Sequence, residues 1–316
     1  MLLLTGATGL VGSALLRGLL AENAAVRCLV RDPRRLGAQR VRVQIALGDL
    51  ADPPSFRNAM RGVDTVVHLA AAIRDQPRGS IEELNGIATW RMVQAAQRAG
   101  VRRFVFLSPL GASTHHRARL FRAKALAEQA VREAQLHSIV FSPSLVYAPG
   151  DPLLTLVERL SLLPAMPVCG WGRSVYQPIW AEDVAACVIA KLRASDRRAS
   201  QAKSGDDSQP PADAHERFEL AGPQTLEHSE IVRLVLRSLH RRRVLLHVPT
   251  AVVSRTLRLL EATAGRRAFA TWDEAELMEV SMTSSRGCAD AERLGVLPRG
   301  MEEVLTSTPR LATTPG

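Results

Sequence analysis

Lysine and tyrosine are nearly missing from this chain of 316 residues: Lys124, Lys191 and Lys203 are the lysines, Tyr147 and Tyr176 the tyrosines. Aromatic residues make up only 4% of the sequence, so a core must be aliphatic, which suits a parallel sheet rich in Val, Leu, Ile and Ala. The four cysteines (Cys28, Cys169, Cys187, Cys288) lack the spacing of a metal or redox motif and read as reduced and structural. No apolar run reaches the ~18 residues that a membrane span needs. No basic segment precedes the first apolar run, which starts at Met1, so a signal peptide is not expected and the location expected is cytoplasmic.

The charge is one-sided. A net charge of +10 rests on 41 basic residues, of which all but three are arginine. They are spread along the chain, with one dense run at Arg241-Arg242-Arg243. Aromatics do not interleave with them as single-strand binding would need, so nucleic acid is not an expected partner. A solvated surface accounts for most of the charge. Contact with an anionic membrane surface or a membrane-associated partner is the alternative.

What is present is concentrated at the start. Leu2-Leu3-Leu4-Thr5 reads as a strand, and Gly6, Gly9 and Gly12 follow at intervals of three. Apolar residues then resume at helical spacing: Val11, Leu15, Leu16, Leu19 and Leu20. A strand, a tight glycine turn and a helix N-terminus make a site for a dinucleotide pyrophosphate, because free backbone N–H groups and the helix dipole both face the anion. The spacing is Gly-x-x-Gly-x-x-Gly, not the commoner Gly-x-Gly-x-x-Gly.

Strands expected at 2–5, 25–30, 41–46, 63–69, 103–108 and 137–142 alternate with helices near 10–22, 52–60, 80–99 and 118–135. The alternation predicts an α/β fold, a doubly wound parallel sheet of Rossmann type with a smaller C-terminal lobe. The expected division is a dinucleotide-binding core over 1–150, completed by about 176–194 and 217–222. A small substrate or partner lobe is expected over 151–175 and 223–300, and a polar tail over 301–316. The stretch 195–216 lacks apolar periodicity and reads as a disordered insertion between a helix ending near Arg193 and a strand at Arg217–Ala221.

The second strand bears on the cofactor. A carboxylate at its end would bind the ribose 2′-hydroxyl of NAD. Val30 stands there, followed by Arg31, with Arg34 and Arg35 in the next turn. A guanidinium without a carboxylate favours a 2′-phosphate, so NADP(H) is preferred and NAD(H) is the alternative. Asp32 is a carboxylate that could still serve. Asp49, in Gly48-Asp49-Leu50, can accept from an adenine amino group, and the small residues of Leu69-Ala70-Ala71 let backbone lie close to ribose and diphosphate.

These motifs, with Asn85, the strand ending at Ser108, Ser142-Pro143-Ser144-Leu145-Val146-Tyr147 and Ile179-Trp180-Ala181-Glu182-Asp183, follow one another in an order that resembles the atypical, extended short-chain dehydrogenase/reductase superfamily. Within it the chain resembles NAD-dependent epimerase/dehydratase-like proteins, and most of all bacterial relatives of the nucleotide-binding accessory subunit of respiratory complex I. The resemblance implies cofactor contacts from Thr5, Gly6, Thr8, Gly9, Leu10, Val11, Gly12, Arg31, Asp49, Leu50, Leu69, Ala70, Ala71, Lys124 and Pro143, and no metal.

It also implies a Tyr-x-x-x-Lys pair, in which tyrosine carries the proton and lysine lowers its pKa and binds the nicotinamide ribose. Lys124 stands at the lysine position, but its partner position holds Leu120. Lys124 and Ser108 are therefore the candidate catalytic residues, with Ser113 and Thr114 as alternatives to the serine. A solvated lysine pairing with Glu128 is the other reading of Lys124. His115-His116 has no carboxylate or Cys at ligand spacing and reads as solvent-exposed. Two functions follow. One is a nucleotide-binding structural, assembly or redox-sensing component; the other is an NADPH-dependent reductase or sugar-nucleotide epimerase/dehydratase using Lys124 or a relocated acid/base.

Overall fold

The structure, a computed structural model, describes residues 1–202, 215–255 and 272–307. Six strands come from the first half: β1 (Leu2–Thr5), β2 (Val26–Val30), β3 (Gln44–Leu47), β4 (Thr65–His68), β5 (Arg103–Leu107) and β6 (His137–Pro143). After four short strands, β7 (Val146–Tyr147), β8 (Ala165–Cys169), β9 (Val175–Tyr176) and β10 (Ile179–Trp180), the chain returns as β11 (His215–Leu220) beside β6. The sheet order is β11-β6-β5-β4-β1-β2-β3, with every neighbouring pair parallel. Strand order reverses between β1 and β4, which opens a crevice beyond their C-terminal ends.

Both faces of the sheet are covered, and the residue alternation shows it. Leu4, Val67, Val105, Ile139 and Phe141 face α1 (Leu10–Ala21) and the helix α6 (Ala181–Ala202). Leu3, Val66, Phe104, Phe106 and Val140 face the other layer: α2 (Pro53–Arg57), α3 (Ala88–Arg98) and α4 (Arg119–Arg132). Helices α1 and α6 approach closely at Gly18, where a Cβ would come within 2.4 Å of the Ile189 side chain.

A third apolar cluster forms the smaller lobe. It joins α5 (Pro152–Leu160), α7 (His228–Ser238) and the helix at Met301–Ser307, with Tyr147 and Tyr176 inside it. Two minor parallel or antiparallel pairs complete the lobe: β12 (Leu226–Glu227) with β9, and β13 (Val244–Val248) with β8.

Several boundaries depart from the sequence expectation. The third strand lies at 44–47, because Pro33–Arg42 forms short 3-10 turns broken at Gly37 (φ 58°). Helix α6 does not stop near Arg193 but runs through Ala202, held by a salt bridge from Arg103 to Asp196 at 2.6 Å. Strand β11 begins two residues before Arg217. The remainder of the expected insertion, 203–214, lies outside the described residues, as do 256–271 of the expected small lobe and 308–316 of the tail.

Candidate functional site

The glycine turn sits at the switch point and is sterically fixed. Gly6 has φ +74°, and a Cβ there would lie 2.6 Å from the Ala70 amide nitrogen. A Cβ on Gly12 would lie 1.9 Å from the Gly6 carbonyl oxygen. Gly9 differs: its Cβ would meet only the Gly6 oxygen, at 3.3 Å. Gly9 is exposed and is the N-cap of α1, where no side chain caps the helix and the first turn holds no acid. The end of α5 is the opposite case, because Asp151 accepts hydrogen bonds from the Leu153 and Leu154 amides. The α1 terminus thus keeps its donors for an anion, and the residues present fit a dinucleotide pyrophosphate.

At one end of the crevice lies a cleft of about 490 Å³, lined by Arg31, Gly48, Asp49, Gln76, Pro77 and Arg78 among others. Arg31 is exposed at the end of β2. Val30 points into the core at 7% exposure. Asp32 accepts from the Arg34 amide at 2.9 Å and so caps the turn that follows it. Asp49 holds its own loop through the Ala51 amide and stands 3.8 Å from Arg78. Arg78 was not foreseen from the sequence. It reaches the cleft because Asn85 ties the loop after β4, accepting from the Ala72 amide and donating to the Ala72 and Ile81 carbonyls.

Beneath the crevice His68 is fully buried between Thr5 and Thr89. Thr89 donates its hydroxyl proton to the Asn85 carbonyl, so it accepts from His68 Nε2, and His68 Nδ1 accepts from Thr5 at 2.7 Å. Burial, with the Lys124 charge second, pushes the imidazole down to about 3 and keeps it neutral. The Thr5 hydroxyl that thereby faces the Ala70 amide helps fix the loop expected to lie along the cofactor.

Lys124 is buried at 3% exposure on α4, so the solvated alternative does not hold. Its Nζ donates to the Leu107 carbonyl at 2.9 Å and lies 4.5 Å from the centre of the Phe106 ring. Burial lowers its pKa to about 8, with Glu128 opposing. Glu128 itself is paired with Arg217 at 2.9 Å. Leu120, one turn earlier, is half-buried. Ser108, next to the carbonyl that Lys124 holds, is buried, and its Oγ has no hydrogen-bond partner among the described residues. Ser142 is in the same condition beside Pro143. Neither tyrosine stands in for residue 120: both belong to the lobe core, and Tyr176 donates to the Met278 carbonyl. Ser113 and His115 lie exposed on the loop before α4, while His116 stacks on Phe121 and accepts from the Ala118 amide.

A second feature escaped the sequence reading. Arg119 bonds to Glu82, Asp75 and Asp273, and Arg74 bonds to Glu274. The helix Trp272–Leu277 is thereby fastened to the loop after β4 and to the start of α4. These contacts join residues 154 and 200 positions apart, beyond the reach of any local pattern.

Comparison with known proteins agrees with this geometry. Residues 6–156 match the NAD(P)H-binding family. A ceramide reductase of Caulobacter vibrioides is 30% identical over 60% of this chain and 60% of its own length. The mouse (Mus musculus) NADH dehydrogenase [ubiquinone] 1 alpha subcomplex subunit 9 is 24% identical over 94% of this chain and 76% of its own. The chain spans 60%, 56% and 56% of the length of the first curated relatives it matches. Among solved structures, the UDP-glucose 4-epimerase of Thermus thermophilus in complex with NAD superposes with a TM-score of 0.67, at 18% identity and over 98% of this chain and 97% of that one. The stretch that matches the NAD(P)H-binding family, residues 6–156, thus lies on a doubly wound fold like that of this epimerase.

Proposed function

We propose that this chain binds NADP(H) in preference to NAD(H) and serves as a nucleotide-binding structural, assembly or redox-sensing component of the kind found in respiratory complex I. The observation that carries this reading is the pairing of Leu120 with a buried Lys124 on one turn of α4. A leucine has no proton to transfer, while the Lys124 ammonium can still donate to a nucleotide ribose. Arg31 and Arg78 on one cleft support the 2′-phosphate preference. The likeness to a subunit of NADH dehydrogenase supports the component role and a membrane-associated partner.

A second reading has its own support. Lys124 at about 8 can give and take a proton near neutral pH, and Ser108 stands next to the Leu107 carbonyl that Lys124 holds. With a bound nicotinamide supplying or accepting hydride, Lys124 would move the proton, as in a reductase or a sugar-nucleotide epimerase/dehydratase. The likeness to a ceramide reductase favours such chemistry.

One set of assays separates the two. NADPH and NADH are titrated against the wild type, which is then assayed with carbonyl substrates and with sugar nucleotides. The component reading expects tight NADPH binding with no turnover, and Leu120→Tyr expects unchanged binding with weak carbonyl reduction appearing. Brisk wild-type turnover that Lys124→Met abolishes establishes the enzyme reading instead.

A further inference from the structure

Where two parallel strands start side by side, the residues leading into them share one edge. Strands β8 and β13 pair in parallel, with Val244 opposite Ala165 and Leu246 opposite Pro167. The turn Ser161–Pro164 therefore lies beside the run Arg241–Arg243. Hydrogen bonds join the two: Arg241 donates to the Ser161 hydroxyl, and Arg243 to the Ser161 carbonyl at 3.0 Å. These two arginines also sit at the C-terminal end of α5, where positive charge is favoured. Their guanidinium groups are held in place by the fold.

Four aliphatic side chains stand in water on this edge: Leu162 at 70% exposure, Leu163 at 45%, Val244 at 77% and Leu246 at 58%. The adjoining groove is lined by five arginines, Arg233, Arg237, Arg241, Arg242 and Arg243, against two carboxylates. Of those, Glu230 is engaged by the Glu227 amide, and Glu302 lies 4.0 Å from Arg237. The edge thus combines protruding aliphatic residues with a strong excess of positive charge.

We infer that this edge docks the protein on an anionic lipid bilayer, with Leu162 and Leu163 entering the interface and Arg242 and its neighbours meeting lipid phosphates. A bilayer accepts single aliphatic side chains projecting from a turn, and anionic headgroups satisfy fixed guanidinium groups by two parallel hydrogen bonds. A protein partner of ordinary size would instead need a shaped apolar surface with the charges at its rim. No described helix is long and apolar enough to cross a membrane, so the contact is peripheral. The inference stands on this edge alone and is independent of which nucleotide the crevice holds.

Flotation of the full chain on vesicles of phosphatidylcholine, with and without phosphatidylglycerol, tests it. Binding is expected only with phosphatidylglycerol and fades as salt rises. The double variant Leu162→Ser/Leu163→Ser should lose about tenfold in partition, since two exposed leucines no longer enter the interface. Arg242→Ser should lose about fivefold. Thermal midpoints and NADPH titrations of both variants, expected to match the wild type, show that the fold is intact. Absence of flotation on anionic vesicles at low salt overturns the inference, as does equal flotation of wild type and Arg242→Ser. Retention on an acidic polypeptide without vesicle binding also overturns it and assigns the edge to a protein partner.

Discussion

The two ends of the crevice are built from different materials. At the end with the glycine turn, the walls are backbone: the turn itself, an uncapped helix terminus and a loop pinned by Asn85. At the end of β5 and α4 they are individual side chains, and there Leu120 stands one turn from Lys124. Binding by backbone depends on shape and tolerates few changes at the glycines. Proton transfer depends on one atom and disappears with one residue. The two functions are therefore separable, and under the proposed reading this chain keeps the cradle and departs at the relay.

The sharpest way to break the comparison is within the cradle itself. Gly12→Ala would force a Cβ to 1.9 Å from the Gly6 oxygen, so turn and helix must shift. The expected cost is about 1–3 kcal/mol of stability, with nucleotide binding lost. Gly9→Ala meets nothing closer than 3.3 Å and should fold with a midpoint near the wild type. It should still bind nucleotide at least about tenfold more weakly, because the added methyl stands where a pyrophosphate must approach the α1 amides. Thermal unfolding and NADPH titration of both variants check the pair. Equal nucleotide affinity of Gly9→Ala and wild type would mean that the anion does not approach there.

A middle-sized effect separates shape from charge at the adenosine end. Arg31→Ala should cost about 1.5–3 kcal/mol of NADPH affinity and leave NADH affinity unchanged. Arg78→Ala should act in the same direction but less, since Asp49 at 3.8 Å already shares its charge. Isothermal titration of both nucleotides reads the difference. Equal wild-type affinities for NADPH and NADH would remove the assignment of Arg31 to a 2′-phosphate.

Backbone recognition was also the more legible half in the sequence. Glycine spacing and apolar alternation are local, so the turn, the parallel sheet and most of its strands could be read in advance. The contributions of Arg78 and of the Arg119–Asp273 and Arg74–Glu274 pairs could not, because they depend on how a loop and a helix far along the chain come to rest. Lys124 lay between these cases. Its scarcity marked it, but solvated and buried placements were equally compatible with helical spacing, and only packing against Phe106 and the Leu107 carbonyl decides for burial. The end of α6 lies beyond the expected one because apolar periodicity stops at residue 195 while the helix does not. In the fold Ser195 bonds back to the Lys191 carbonyl and Asp196 is held by Arg103, so the helix continues.

The smallest expected effect tests what Lys124 costs the fold. Its folded pKa, about 8, lies below the 10.5 of an unperturbed lysine, so the native state holds fewer protons than the unfolded chain between those values. Stability contributed by this group should therefore rise as pH increases from about 8 toward 10.5, while below pH 8 both states are protonated and the burial penalty is fully present. Lys124→Met removes the charge and keeps most of the volume. It should gain about 1 kcal/mol at pH 7, because loss of the bond to the Leu107 carbonyl offsets part of the relief. It should also flatten the rise between pH 8 and 10.5. Urea unfolding of both proteins across that range checks the sign. Stability of the wild type that does not rise relative to Lys124→Met in this window would mean that the ammonium is solvated after all, and that a buried cation is not part of the site. A stabilised Lys124→Met that binds NADPH more weakly would identify the charge as one that the fold tolerates for the sake of the nucleotide.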